Sequence, residues 1–307
     1  MLGASAAPAG VKAVDGLAVL DRAAFGRRAF LRACALDVQA RKPGNVSIAS
    51  PGHGMQAEHF KASAAAAACP ISSAGARVGE RIEVAVRAAW QATHCNTNLG
   101  IVLLCAPLLA AFERCGGAGG AEGLRAALEE VLQALDVEDA RAAYRAIALA
   151  RPGGLGRAPA QDVAEAPTVG LREAMALAAH RDRIAWQYQH GYPDVFGLGL
   201  PAFLAARARG AARAMQATFL EFLAALPDSH IVRKHGDAVA HCVIGEAAHW
   251  RERARRGELL DDDPAFAAWD EGLKARALNP GTSADLCVAV ALAAALTEAC
   301  PASPRFY

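Results

Sequence analysis

Residues 279–296 read Asn-Pro-Gly-Thr-Ser-Ala-Asp followed by Leu-Cys-Val-Ala-Val-Ala-Leu-Ala-Ala-Ala-Leu. A polar turn passes without a break into an alanine-rich apolar run, and this pattern sets the style of the chain. Asn, Pro and Gly supply turn geometry, and Thr282 or Ser283 stands where a helix N-cap is wanted. The run from Leu286 to Leu296 has too few polar positions to face water on any side, so it reads as a buried helix. Leu99 to Phe112 reads the same way, and both runs fall short of the roughly 18 to 20 residues that span a bilayer.

The composition extends this reading to the whole chain. Alanine makes up about a quarter of the 307 residues, 54% are hydrophobic and only 6% are aromatic, so local propensity favours helix over strand. The expected fold is all-α, a single compact multi-helix domain over residues 15–300 whose polar Gly/Pro loops form the site. Residues 1–14 and 301–307 are expected to be a loose N-terminus and a tail. Thirty-two basic against thirty-one acidic side chains leave a formal charge of +1, with no run of like charge, which excludes a nucleic-acid footprint or an anionic-membrane surface. Met1 to Val14 lacks the pattern of a secretory signal, which points to the cytoplasm. The eight cysteines form no C-x-x-C pair and are expected to be reduced core thiols. Helices this apolar could also pair across a face, so a homodimer is the expected assembly.

Along the chain, Asp15 is expected to cap a helix ended by Pro43-Gly44. Further helices are expected near Glu58 to Cys69, Gly79 to Thr93, from Ile101, over Gly120 to Val131, Leu171 to His190, Leu204 to Leu226, Asp237 to Arg255, Pro264 to Ala277 and Ser283 to Cys300. Arg151 to Gly170, rich in Pro and Gly, reads as a long active-site loop in preference to an interdomain linker. P-loop, dinucleotide-binding, hydrolase-elbow and zincin motifs are all absent. The lone E-x-x-H, Glu246 to His249, lacks the second copy that a di-iron site needs. Asp261 to Asp263 before Pro264 reads as a helix start.

Four loops carry the chemistry: Lys42 to Ser47, Asn96 to Gly100, Asp228 to Gly236 and Asn279 to Asp285. Lys42, Arg233 and Lys234 stand out because the chain has only five lysines and these cations sit in Gly-flanked loops. The amides at Thr282 and Ser283 could receive a phosphate oxygen.

In order, the motifs Lys42-Pro43-Gly44-Asn45-Val46-Ser47, then His53, Met55, Phe60, Ser63 and Ala64, then 96–108 (NTNLGIVLLCAPL), 181–196 (RDRIAWQYQHGYPDVF), 228–236 (DSHIVRKHG) and 278–286 (LNPGTSADL) resemble the triphosphoribosyl-dephospho-CoA synthase family. The resemblance runs from about Leu31 to Leu296. It implies an all-α transferase that joins ATP, as substrate, to 3′-dephospho-CoA with release of adenine. The family's G-A-H-x-D-M-D is here Gly52-His53-Gly54-Met55-Gln56, without Asp, and its N-T-H-K-G is Asn96-Thr97-Asn98-Leu99-Gly100. The chain therefore looks like a divergent branch similar to archaeal and one-carbon-metabolism relatives. A nucleotide- or ribosyl-phosphate-dependent transferase of methanopterin- or methanofuran-type coenzyme synthesis is one alternative, and a non-catalytic helical binding protein is another.

Mapped onto this sequence, the resemblance implies Asp182, Asp228, Asn96 and Asn98 as catalytic residues. It implies Lys42, Gly44, Asn45, His53, Thr97, Tyr188, Arg233, Lys234, Gly281 and Ser283 for substrate and phosphates, and Asp285 with Asp194 for Mg²⁺.

Overall fold

The structure, a computed structural model, describes residues 10–116 and 119–300. Fourteen α-helices and no strand occur among the described residues: α1 (Gly10–Gln39), α2 (Ala57–Ile71), α3 (Val78–Thr93), α4 (Leu99–Arg114), α5 (Gly120–Gln133), α6 (Val137–Ala150) and α7 (Leu171–Ala178). Then follow α8 (Arg183–His190), α9 (Leu200–Ala206), α10 (Ala211–Ala225), α11 (Ser229–His235), α12 (Asp237–Arg255), α13 (Pro264–Ala275) and α14 (Gly281–Glu298).

The two apolar runs are the buried centre. Most residues of α4 and α14 are buried, the two helices pack on each other, and α1, α5, α9 and α10 close around α14. By length and composition α14 could cross a membrane, but 72% of it is buried inside the fold, so it is a core helix. Small alanine side chains let these helices approach closely, and large residues fill the remaining space: Phe30, Phe219, Phe222, Tyr188 and Tyr192 are all fully buried.

The helical reading holds, and its boundaries need correction in several places. Asp15 lies within α1 and not at its start; residues 1–9 of the expected loose N-terminus and the tail 301–307 lie outside the described residues. The expected helix Leu171 to His190 is two, because Asp182 turns its carboxylate onto the amides of Ile184 (2.9 Å) and Ala185 (3.0 Å) and starts α8 afresh. Leu204 to Leu226 is likewise broken, at Gly210, whose φ of +111° does not continue a helix. The helix α6 was not anticipated, although Asp136 and Asp139 form its capping box. Asp228 to Gly236, read as a loop, contains the short helix α11. Of the cysteines, Cys34, Cys105, Cys287 and Cys300 are buried, whereas Cys69 and Cys242 are exposed. Glu246 accepts from the indole of Trp269 at 2.6 Å, tying α12 to α13.

Residues 151–170 form a strap laid against the body. The Tyr144 hydroxyl donates to Gln161 O (2.6 Å), Arg233 Nε donates to Gly153 O (2.8 Å), and Asp162 accepts from Ala158 N (2.5 Å) and Ala164 N (2.8 Å) within the strap.

Candidate active site

Four helix N-termini meet at one place. Arg183 N at the start of α8 donates to Ser229 Oγ at the start of α11 (2.8 Å), and Ser283 N and Oγ in the first turn of α14 donate to Asp228 Oδ2 (2.7 and 2.8 Å). At α4, a Cβ on Gly100 would stand 2.0 Å from Asp285 Oδ2 and 2.8 Å from Ile184 Cδ1, so only glycine lets the three helices close. These N-termini floor a cavity of about 740 Å³ roofed by the 151–163 strap. A helix N-terminus favours negative charge, and four together suit a polyanion.

Part of the cavity lining is carboxylic. Asp37, in the last turn of α1, belongs to it, and Lys42 sits fully buried behind Asp37 with Nζ 3.0 Å from Oδ1 and 2.5 Å from the Asp37 carbonyl. Burial holds the Asp37 carboxyl above the usual carboxylate range, with Lys42 opposing the rise only in part. Lys42 is therefore consumed by an internal pair and does not reach the cavity, contrary to its expected contact with phosphate. Gly44 holds the K-P-G turn against the N-P-G turn: at φ +81° its missing Cβ leaves room for Leu278 O and the Pro280 ring. Its amide donates to the buried Asp270 carboxylate (2.9 Å), and its carbonyl accepts from His53 Nε2 (2.8 Å). Asn45 Nδ2 donates to Asn279 Oδ1 (2.9 Å), while Asn45 Oδ1 is buried with no partner among the described residues. Thr97 donates to Ser63 Oγ at 2.7 Å, and Asn96 caps the first amide of α4.

Asp182, Asp228 and Asp285 are brought close together, but they are used differently. Asp228 is buried away from the cavity surface and accepts four bonds, from His230 N, Ile231 N, Ser283 N and Ser283 Oγ. It joins α11 to α14. Asp182 lines the cavity, caps α8 and stands 3.6 Å from Arg233 Nη1. Asp285 also lines the cavity; burial, then the nearby Asp37, Asp228 and Asp182, push its carboxyl far up, with Lys42 opposing.

The same lining carries cations beside the carboxylates. Arg233 and Lys234 at the end of α11 belong to it, with Arg151, Arg181 and His230. Burial and the neighbouring Arg233 lower the Lys234 ammonium. Burial first, then Lys234 and Arg233, push His230 down to about 3, so this imidazole is neutral at ordinary pH. It packs directly over Gly281, where a Cβ would meet its Nδ1 at 2.6 Å.

Of the expected site residues, Asn45, His53, Asn96, Thr97, Asp182, Arg233, Lys234, Gly281 and Asp285 line the cavity. Tyr188 does not: it is fully buried and donates to Leu103 O at 2.6 Å. Asp194 does not either, being held by Arg183 (2.6 and 2.8 Å) and Gln187 (2.5 Å). Asn98 is buried beside the cavity with Nδ2 unpartnered among the described residues. The expected Asp285 and Asp194 metal pair is thus not formed, and no group of three His, Cys, Asp or Glu is placed to hold a metal among the described residues. Asp37, Asp182 and Asp285 are the carboxylates that line the cavity, and Mg²⁺ commonly takes one or two carboxylates together with substrate phosphates. Where the family pattern has two Asp, the tight turn Gly52–Met55 presents His53 and Met55 to the cavity. Sequence reading missed Asp37, which sits within a helix without any motif around it, and Asp270, whose only signal was an Asp in an otherwise plain helix.

A helical body that converges its N-termini and a cationic patch on one cavity has the build of an enzyme for a phosphorylated small molecule. The family model for ATP:dephospho-CoA triphosphoribosyl transferase matches residues 24–303. The protein belongs to that family and is a transferase of nucleotide substrates. No curated protein matches the sequence. A crystal structure from Archaeoglobus fulgidus, described as a candidate triphosphoribosyl-dephospho-CoA synthase, has a similar fold: 22% identity, a TM-score of 0.59, and coverage of 76% of this chain and 96% of that one.

Proposed function

We propose that the protein moves the 5-triphosphoribosyl group of ATP onto a hydroxyl of dephospho-CoA and releases adenine. The observation that carries this reading is one cavity whose lining holds both cations, Arg233 and Lys234, and carboxylates, Asp37, Asp182 and Asp285. In this reading Arg233 and Lys234, with the open amides at Thr282 and the start of α4, take the triphosphate. The carboxylates of Asp37, Asp182 and Asp285 face the anomeric carbon, where breaking the bond to adenine develops positive charge that fixed carboxylates stabilise. Asn45 Oδ1, Asn96 and Thr97 serve the sugar hydroxyls; Lys42, Gly44, Asp228 and Ser283 position the groups that touch substrate. Mg²⁺ enters with the nucleotide that it chelates.

The experiment is incubation with Mg·ATP and dephospho-CoA, with free adenine read by chromatography. Adenine formed only when dephospho-CoA is present supports the reading. Adenine released only with another acceptor, or not at all, overturns it. Neither the one-carbon-coenzyme acceptor nor the non-catalytic role gains support from the fold or from the comparisons.

A further inference from the structure

One stretch of the cavity lining takes no part in the transfer. Ile147 on α6, Leu155 and Val163 on the strap, and Met175 and Leu177 on α7 line it with aliphatic side chains. The three elements are tied together: α6 packs on α7, and the Tyr144 hydroxyl of α6 holds the strap at Gln161 O (2.6 Å). Leu155 and Leu177 remain 37% and 48% exposed, so apolar surface that lines a cavity is left uncovered there. The polar side chains of the strap are spent within it. Gln161 pairs with Thr168 through Nε2 (2.9 Å) and Oε1 (3.0 Å), and Asp162 accepts from the amides of Ala158 and Ala164. Neither is free to read the edge of a base. Gly153, Gly154 and Gly156 donate to no backbone carbonyl among the described residues, so bare backbone amides stand beside the aliphatic groups. Arg151, where the strap begins, and Arg181, beyond the end of α7, line the same cavity, and neither makes an ion pair among the described residues.

We propose that this stretch holds the acceptor: Arg151 and Arg181 meet the diphosphate of dephospho-CoA, and the uncharged pantetheine arm beyond it lies against Ile147, Leu155, Met175 and Leu177. The assignment rests on the triphosphoribosyl-transfer reading and goes beyond it by naming where the non-reacting part of the acceptor is held. ATP has no aliphatic chain with which to cover these side chains. The arm carries methylenes, a gem-dimethyl group and amides, which match aliphatic side chains and bare glycine backbone. Arg233 Nε donates to Gly153 O at the head of the strap (2.8 Å), so the strap borders the triphosphate at its head and the arm along its length. Binding energy from a remote part of the substrate is then available to orient the acceptor hydroxyl.

The test is steady-state kinetics of the full chain with 4′-phosphopantetheine, which carries the arm and a phosphate but no nucleoside, as inhibitor. It is expected to compete with dephospho-CoA and not with ATP. Leu155→Ser and Leu177→Ser are each expected to raise the KM for dephospho-CoA and the inhibition constant of 4′-phosphopantetheine together, by about fivefold, the effect of covering the exposed part of a leucine. The KM for ATP is expected to stay as in the wild type, which a general loosening of the fold would not allow. Arg151→Ala and Arg181→Ala are each expected to raise the KM for dephospho-CoA about tenfold. Both leucines are already part-exposed, so their variants are expected to melt like the wild type. A KM for dephospho-CoA unchanged in both serine variants overturns the assignment. Inhibition that competes with ATP, or no inhibition, overturns it too, and so do serine variants altered only in sedimentation, which give the leucines to a contact between copies of the chain. Wild-type protein that releases no adenine with dephospho-CoA overturns the underlying reaction, and the site for the arm falls with it.

Discussion

The carboxylic and the cationic parts of the cavity lining are built on opposite principles. The carboxylic part is rigid: Asp37 and Lys42 are almost wholly buried, Gly44 and Gly100 admit no side chain, and the carboxylates sit on the packed N-termini of α8, α11 and α14. The cationic part is adaptable. Arg233 is part-exposed and Lys234 exposed at the end of a seven-residue helix, and both lie against Gly153 and Gly154 of an irregular strap. Reacting atoms need fixed geometry, whereas a triphosphate tail is held by long-range charge and tolerates motion. The two parts also respond to pH in opposite senses, because one stores an uncompensated acid and the other a base kept neutral.

The largest expected break in this contrast is Lys42→Met. It leaves Asp37 buried without its cation, and the expected cost is about 3–5 kcal/mol, measured by urea unfolding. The double variant Asp37→Leu/Lys42→Met is expected to recover most of that stability and none of the activity. Removing a cation from the other part carries no such penalty. A Lys42→Met enzyme as stable as the wild type would show that the buried pair does not organise the carboxylic part.

The opposed pH responses come next. Folded Asp285 keeps a proton that the unfolded chain loses above its ordinary range near 3.9. Its contribution to stability is therefore present at low pH and lost as pH rises toward the raised native value. Folded His230, at about 3, rejects a proton that the unfolded chain takes up below about 6.5, so its contribution is lost as pH falls through that window. Each effect amounts to up to about 1.4 kcal/mol per pH unit within its window. Melting temperature against pH is expected to flatten on the alkaline side in Asp285→Asn and on the acid side in His230→Gln. Slopes that stay as in the wild type would remove these two groups from the pH response.

The smallest effect is expected in the cationic part. Arg233→Ala and Lys234→Ala should each raise the KM for ATP about tenfold, equivalent to one charge-assisted contact of about 1.4 kcal/mol, with melting temperature little changed. A large loss of stability in either variant would mean that this part is as rigid as the other.

Much of the site was legible because its motifs lie in polar turns between plain helices. Asn45, His53, Thr97, Arg233, Lys234 and Asp285 stand out for that reason, and all of them line the cavity. Lys42 was equally conspicuous, but its direction was not. A lysine in a Pro/Gly turn looks the same in sequence whether it meets a phosphate or an aspartate five residues earlier on the preceding helix. Tyr188 and Asp194 stood in a recognisable motif whose work is internal, with the phenol on the Leu103 carbonyl and the carboxylate on Arg183. Asp37 was invisible because a helical Asp among apolar residues carries no local signal.

By itself, the sequence determined the class of fold, the centrality of the two apolar runs and the family. Alanine content, helical spacing and the order of short polar motifs are local properties, and they survive without knowledge of the packing. Only the tertiary structure decided which polar groups face the cavity and which face one another. That choice depends on where four helix N-termini converge and on how many partners each buried carboxylate finds there. Asp285, which makes no hydrogen bond or ion pair among the described residues, differs from Asp37, Asp182 and Asp228 in that count, and no reading of residue type or spacing contains it.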